Sequence, residues 1–298
     1  MTTTGSTDTA VHFADFLQRH SLRSNSFMEA EIKAIHWTAA ANVLVNQGYA
    51  TLTGGEFSSQ PAVGLLLNLL HRAFEHLDAA LVAFVTGSAA ASEGISRVTV
   101  ELSVSILYIL GGQRESRLLA FLEDYVNVEQ KRIRNWSNGV QSLSEPEREE
   151  HIREIDRRGS GIVAMSDVLA RLRIDVASAG VGLVKESWPN VAGRFAAIGD
   201  VVTYRTVYAR MSSGVHSDAE ETIRYFIGRI CEDPDVLESM GLETIWFSKF
   251  LLYFAVNYFL RANSAYATCY GMSEAALQLN RGLVVIDEEL RVIAENIG

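Results

Sequence analysis

The sequence predicts an all-α protein, a multi-helix up-and-down bundle with appended helices. Three observations carry this reading. Apolar residues recur at helical spacing, and β-type alternation is almost absent. Serine followed three residues later by glutamate recurs as a helix-start signature. Only four of the 298 residues are proline, while 48% are hydrophobic, enough to build a sizeable core.

Along the chain, Ser26 with Glu29 forms a capping box that predicts a helix to about Val45. Residues 48–58 read as a polar loop carrying Gly54-Gly55. Ser59 then caps a long helix, with Pro61 tolerated in its first turn. Val63, Leu67, Leu70, Phe74, Leu77, Leu81 and Phe84 follow in alternating steps of four and three, a heptad seam that fits a core-facing bundle helix. After the break at 87–94, an apolar helix runs to Leu110 and ends at Gly111-Gly112.

A charged amphipathic helix is expected from about Glu115 to Gln141. A second capping box, Ser144 with Glu147, opens a helix that continues to Ser178, where Gly159-Ser160-Gly161 is a candidate kink. Residues 179–190 form the clearest break and read as a loop within one fold, so residues 1–298 are taken as a single domain. Helices are expected near 190–199, 201–213, 218–231 (opened by the capping box Ser217 with Glu220), 235–263 and 273–296.

The net charge of −10 gives no global basic field to gather nucleic acid, so a general nucleic-acid-coating protein is excluded. Two cysteines, Cys231 and Cys269, form neither a ligand cluster nor a disulfide framework. The segment MTTTGSTDTA lacks a basic n-region and an apolar h-region, so no signal peptide is expected. The longest apolar stretch, 250–260, is about half the ~20 residues of a membrane span and is flanked by Lys249 and Arg261. These features predict a cytoplasmic protein with no membrane association, and 250–260 as a core helix.

Two polar stripes interrupt the apolar pattern. Arg97, Glu101, Ser105 and Tyr108 share one face of an otherwise apolar helix. Tyr204, Tyr208, Ser212 and His216 repeat the pattern further on. Buried polar groups must be hydrogen-bonded or they lower stability. The stripes therefore either satisfy each other, fixing helix register, or line a pocket in which Arg97 takes an anion. Burial of Arg97 and Glu101 against Tyr208 or His216 is expected, and with it a loss of ~3–5 kcal/mol in Glu101→Ala.

The segments LLNLLHRAFEHLDAALVAF, ISRVTVELSVSILYI and WPNVAGRFAAIGDVVTYRTVYARMSSGVH resemble an uncharacterised all-helical bacterial family, number fifty-six seventy-seven in the domain-of-unknown-function series. The pattern shared with it is Arg97-x3-Glu101 with Tyr108, then Tyr208-x3-Ser212-x3-His216. The resemblance covers roughly residues 60–225 and implies a fold and a polar site, but no reaction.

Separately, Arg210-x5-His216 is similar to the motif of the HEPN ribonucleases of defence and toxin systems. That similarity implies metal-independent RNA cleavage, with Arg210 stabilising phosphate charge and His216 as acid or base. It further implies RNA as partner and a homodimer. The chain departs from the motif at Met211, where a polar residue is usual. On a continuous helix, residues six apart point about 120° away from each other, so convergence would need a kink at Gly214.

Other constellations are negative. No Glu-x-x-His pair suggests a di-iron site, and neither a phosphate-binding glycine loop nor a nucleophile elbow is present. No cofactor is implied. His71 with Glu75, and Lys131, Arg132, Arg134 with Trp136, read as solvated helix faces. Two functions stay open: a HEPN-like ribonuclease or defence effector using Arg210 and His216, and a non-catalytic helical binding or scaffold protein with a buried polar network.

Overall fold

A computed structural model describes residues 4–52, 61–178, 180, 182–211, 223, 226, 230 and 234–296. All regular structure among them is helical, as the apolar periodicity predicts. The chain forms two compact units, residues 1–110 with 191–298, and residues 111–190.

The larger unit holds α1 (Thr4–Arg19), α2 (Ser26–Glu29), α3 (Ile32–Leu52), α4 (Pro61–Val85), α5 (Ala89–Leu110), α8 (Val191–Ala197), α9 (Val201–Thr203), α10 (Pro234–Cys269) and α11 (Ser273–Glu295). The core lies where α10 packs against α3, α4, α5 and α11, and where α4 packs along α5. Every residue from 251 to 260 is buried, so the longest apolar stretch is a core helix. Among the described residues no helix is long and apolar enough to cross a membrane. The seam on α4 faces inward, with Val63, Leu67, Leu70, Leu77, Leu81 and Phe84 buried and Phe74 half-buried.

The two charges flanking the apolar stretch are both paired. Lys249 Nζ lies 2.8 Å from Glu31 Oε1, and Glu31 is only 1% exposed. The same ammonium sits over the rings of Trp246 (5.6 Å) and Tyr253 (5.5 Å). Burial, then the charge of Glu31, pushes the Tyr253 phenol far above its ordinary range. Arg261 joins the candidate site described below.

The first cap differs by one residue from the expected box. Asn25, not Ser26, is the N-cap, accepting from the Met28 N–H at 2.9 Å. The four-residue α2 then breaks before α3, because Glu31 supplies the carbonyl that opens α3, accepting from the Ile35 N–H at 3.1 Å. Residues 53–60, with Ser59, and the box Ser217 with Glu220 lie outside the described residues.

Helix α1 docks on α3 through facing imidazoles. His12 Nδ1 and His36 Nδ1 are 3.1 Å apart, and the rings stack at 5.0 Å. One imidazole must donate and the other accept, so the accepting ring must be neutral. Burial, then the neighbouring His12, lowers His36 from 6.5 to about 4. A histidine whose folded pKa is depressed stabilises the fold above its unfolded pKa and stops doing so as protonation proceeds. Thermal stability should therefore fall as pH drops from 6.5 towards 4. A pH series of melting curves checks this, and His36→Gln should flatten the dependence across that window.

The smaller unit is a helical hairpin. Helix α6 (Arg114–Gly139) turns through a short 3-10 segment (Val140–Ser142) into α7 (Glu145–Ser178), which packs back along it. The Ser144 box is formed, with Ser144 Oγ donating to Glu147 Oε2 at 2.6 Å. Residues 182–190 have no regular structure and fold back on the start of α6. There the Val184 N–H donates to Ser116 Oγ at 3.0 Å, Arg117 donates to Glu186 at 3.2 Å, and Trp188 packs on Phe121 at 4.9 Å.

Helix α7 is continuous through Gly159-Ser160-Gly161. A Cβ built at Gly159 meets nothing within 4 Å. Gly159→Ala should therefore stabilise the protein by about 1 kcal/mol, the difference in helix propensity. Denaturant titration checks this, and no gain would mean that the helix is not continuous there.

Two members of the basic-aromatic patch have partners within the hairpin, while Lys131 and Arg134 are exposed. Arg132 pairs with Glu129 at 2.5 Å, and Trp136 lies between His151 (5.7 Å) and the Arg158 guanidinium (5.3 Å). In the larger unit, His71 bonds Asn46 at 2.8 Å, and Glu75 pairs with Arg72 at 2.8 Å.

Candidate functional site

Two of the residues that interrupt apolar α5 meet a tyrosine from the second stripe. Arg97 and Glu101 stand one turn apart, and Arg97 Nε donates to Glu101 Oε1 at 2.9 Å. Across from them, α9 runs into a wider π-helical turn, Tyr204–Tyr208, closed by the Ala209 N–H on the Tyr204 carbonyl. Tyr208 donates its hydroxyl hydrogen to the same Oε1 of Glu101 and accepts from Arg97 Nε at 3.3 Å. Its ring lies 5.4 Å from the Arg97 guanidinium.

The pair is less buried than the apolar surroundings predict. The side chains of Arg97 and Glu101 keep 21% and 33% of their exposure, because they lie at the rim of α5 and not between its core contacts. Burial and then the Glu101 hydrogen bond push the Tyr208 phenol up to about 12, so it stays a protonated donor at neutral pH. Burial pulls Arg97 down, but its bonds and charges shared with Tyr208 and Glu101 leave it above its ordinary value. Ser105 spends its hydroxyl on the Glu101 carbonyl at 2.7 Å, a bond within its own helix. Tyr108 is buried two turns beyond Glu101.

Beneath the network is an aromatic cluster. Tyr204 stacks on Tyr208 at 5.4 Å. Phe195 of α8, fully buried, touches Tyr204 (5.6 Å), Tyr208 (5.3 Å) and Tyr258 (5.8 Å). On the α10 side a second set of the same composition closes the cluster. Asp200 Oδ2 accepts from Tyr258 OH and from Arg261 Nη1, each at 2.7 Å, and the Arg261 guanidinium lies 4.6 Å from the Tyr258 ring. Burial, then the Asp200 hydrogen bond, raises the Tyr258 phenol well above its ordinary range. The segment from α8 to Tyr208 is thus tied to α5 by one arginine–carboxylate–tyrosine set and to α10 by another.

Arg210 does not join these sets. It is exposed, and its guanidinium lies 4.7 Å from the Phe247 ring. Ser212 and His216 lie outside the described residues. The π-turn precedes Arg210, so it does not alter the spacing from Arg210 to His216. Among the described residues no three His, Cys, Asp or Glu side chains converge to hold a metal ion.

Asp200, Tyr258 and Phe195 carry no signal in the sequence. Their separations, 58 residues from Asp200 to Tyr258 and 61 to Arg261, follow no helical period. The one available cue was Arg261 beside an apolar run, a charge that burial obliges to find a partner.

No curated protein and no solved structure matches the chain. A family pattern does match, over residues 63–235, which takes in α4, α5, the hairpin unit, α8, α9 and both polar stripes. The chain belongs to the family of unknown function DUF5677.

Proposed function

We infer that the chain is a non-catalytic helical binding or scaffold protein in which paired polar sets lock the α8–α9 segment onto the bundle. One observation carries the reading: Glu101 Oε1 takes hydrogen bonds from both Arg97 and Tyr208. That oxygen is engaged by both groups, and a tyrosine held at about 12 is a poor acid at neutral pH. What such groups do well is fix the register of one helix on another.

A second reading keeps Arg210 and His216 as a metal-independent ribonuclease pair acting on RNA from a cytoplasmic homodimer, as a defence effector. The exposure of Arg210 favours it. Incubation of purified protein with single-stranded RNA in EDTA separates the two. The scaffold reading expects intact RNA. Cleavage that is lost in both His216→Ala and Arg210→Ala, with the fold retained, would overturn it.

A further inference from the structure

Helix α7 turns large apolar side chains to solvent along its C-terminal half. Val163, Val168 and Ile174 are 62%, 63% and 64% exposed, and Met165 is 44% exposed. Scattered exposed apolar residues are ordinary, but these four fall within twelve positions of one helix. Met165, Val168 and half-exposed Leu172 follow in steps of three and four, so they form one stripe. The unit itself is a hairpin of two helices, and each helix of a pair buries only one side against the other. Two such hairpins complete a four-helix arrangement.

The charges on this helix indicate what covers the stripe. Asp167, Arg171 and Asp175 follow at successive turns, all exposed, with no hydrogen-bond or ion-pair partner among the described residues. A uniformly acidic partner would meet the two aspartates, and a uniformly basic one would meet Arg171. An antiparallel copy of the same helix meets opposite charge at Asp167 and at Arg171 together. With the two-fold axis level with residue 169, Asp167 of each copy faces Arg171 of the other. Residues 161–175 hold two aspartates and two arginines and are formally neutral, in a chain of net charge −10. Elsewhere that charge makes copies repel.

We propose that the C-terminal half of α7, around Met165, Val168, Asp167 and Arg171, is an interaction surface for a second copy of this chain, paired antiparallel about a two-fold axis. Sedimentation equilibrium on the full chain tests it. The wild type forms a dimer. Val168→Asp is monomeric and melts as the wild type does once both are diluted to the monomer, because Val168 lies outside the core and aspartate has a similar helix propensity. Asp167→Arg alone and Arg171→Asp alone are each monomeric, since each sets like charges opposite one another. An equal mixture of these two variants forms mixed dimers, because every facing pair is then of opposite sign. A monomeric wild type, a Val168→Asp variant that still dimerises, or a mixture that stays monomeric overturns the proposal.

Discussion

Replacing Lys249 by alanine should lower the stability of the protein by about 3–5 kcal/mol, the cost of leaving a buried charge without its partner. The stranded group is Glu31, which is 1% exposed, while the Lys249 side chain is 15% exposed. Among the described residues Glu31 Oε2 has no hydrogen-bond partner. Denaturant unfolding followed by circular dichroism measures the loss. The double replacement Glu31→Leu with Lys249→Met should recover most of it, since apolar side chains of similar size often substitute for a buried pair without penalty. A single variant as stable as the wild type would mean that Glu31 reaches water.

The second large effect is expected at Phe195. Its ring is fully buried and is the common contact of Tyr204, Tyr208 and Tyr258. Phe195→Ala removes that contact and leaves a cavity, which costs ~3–5 kcal/mol when neighbours cannot close in. Here they cannot move freely, because Tyr208 and Tyr258 are each held by a carboxylate. The loss should appear in the unfolding midpoint. It should also raise hydrogen exchange in 191–208 before the rest of the chain, since that segment depends on this ring for its packing. Uniform exchange across the larger unit would show that 191–208 does not behave as a separately docked segment.

Where helical period decides an element, the sequence shows it plainly. The α4 seam from Val63 to Phe84 and the Ser144 box opening α7 follow from spacing, and the core helix at 251–260 follows from an apolar run too short to span a membrane. The first polar stripe was legible for the same reason: a carboxylate and a guanidinium among valines and leucines must find partners. Its burial was overestimated, because composition around a helix does not show whether a residue lies at the centre or the rim of a packed face.

Other features were not legible. The π-turn at 204–208 has no spacing signal, since an extra residue in a turn depends on tertiary contacts. The Asp200–Tyr258–Arg261 set joins residues from separate elements, and Lys249 and Arg261 read only as the charged ends of an apolar run. Nothing in the sequence separates Asn25 from Ser26 as the cap, because both residue types cap helices and a helix of four residues has too little periodicity to decide between them.

The central claim is that Glu101 and Tyr208 act as one unit that holds the π-turn on α5. A double-mutant cycle with Glu101→Ala, Tyr208→Phe and both together tests it most directly by equilibrium unfolding. With the pair partly exposed, Glu101→Ala alone should cost about 1–2 kcal/mol, between the values for surface and buried pairs. The account predicts that the double variant costs less than the two singles added together, with a coupling of at least ~0.5 kcal/mol. Strictly additive losses would contradict it, showing that the hydrogen bond between Tyr208 and Glu101 contributes nothing to holding the two helices together.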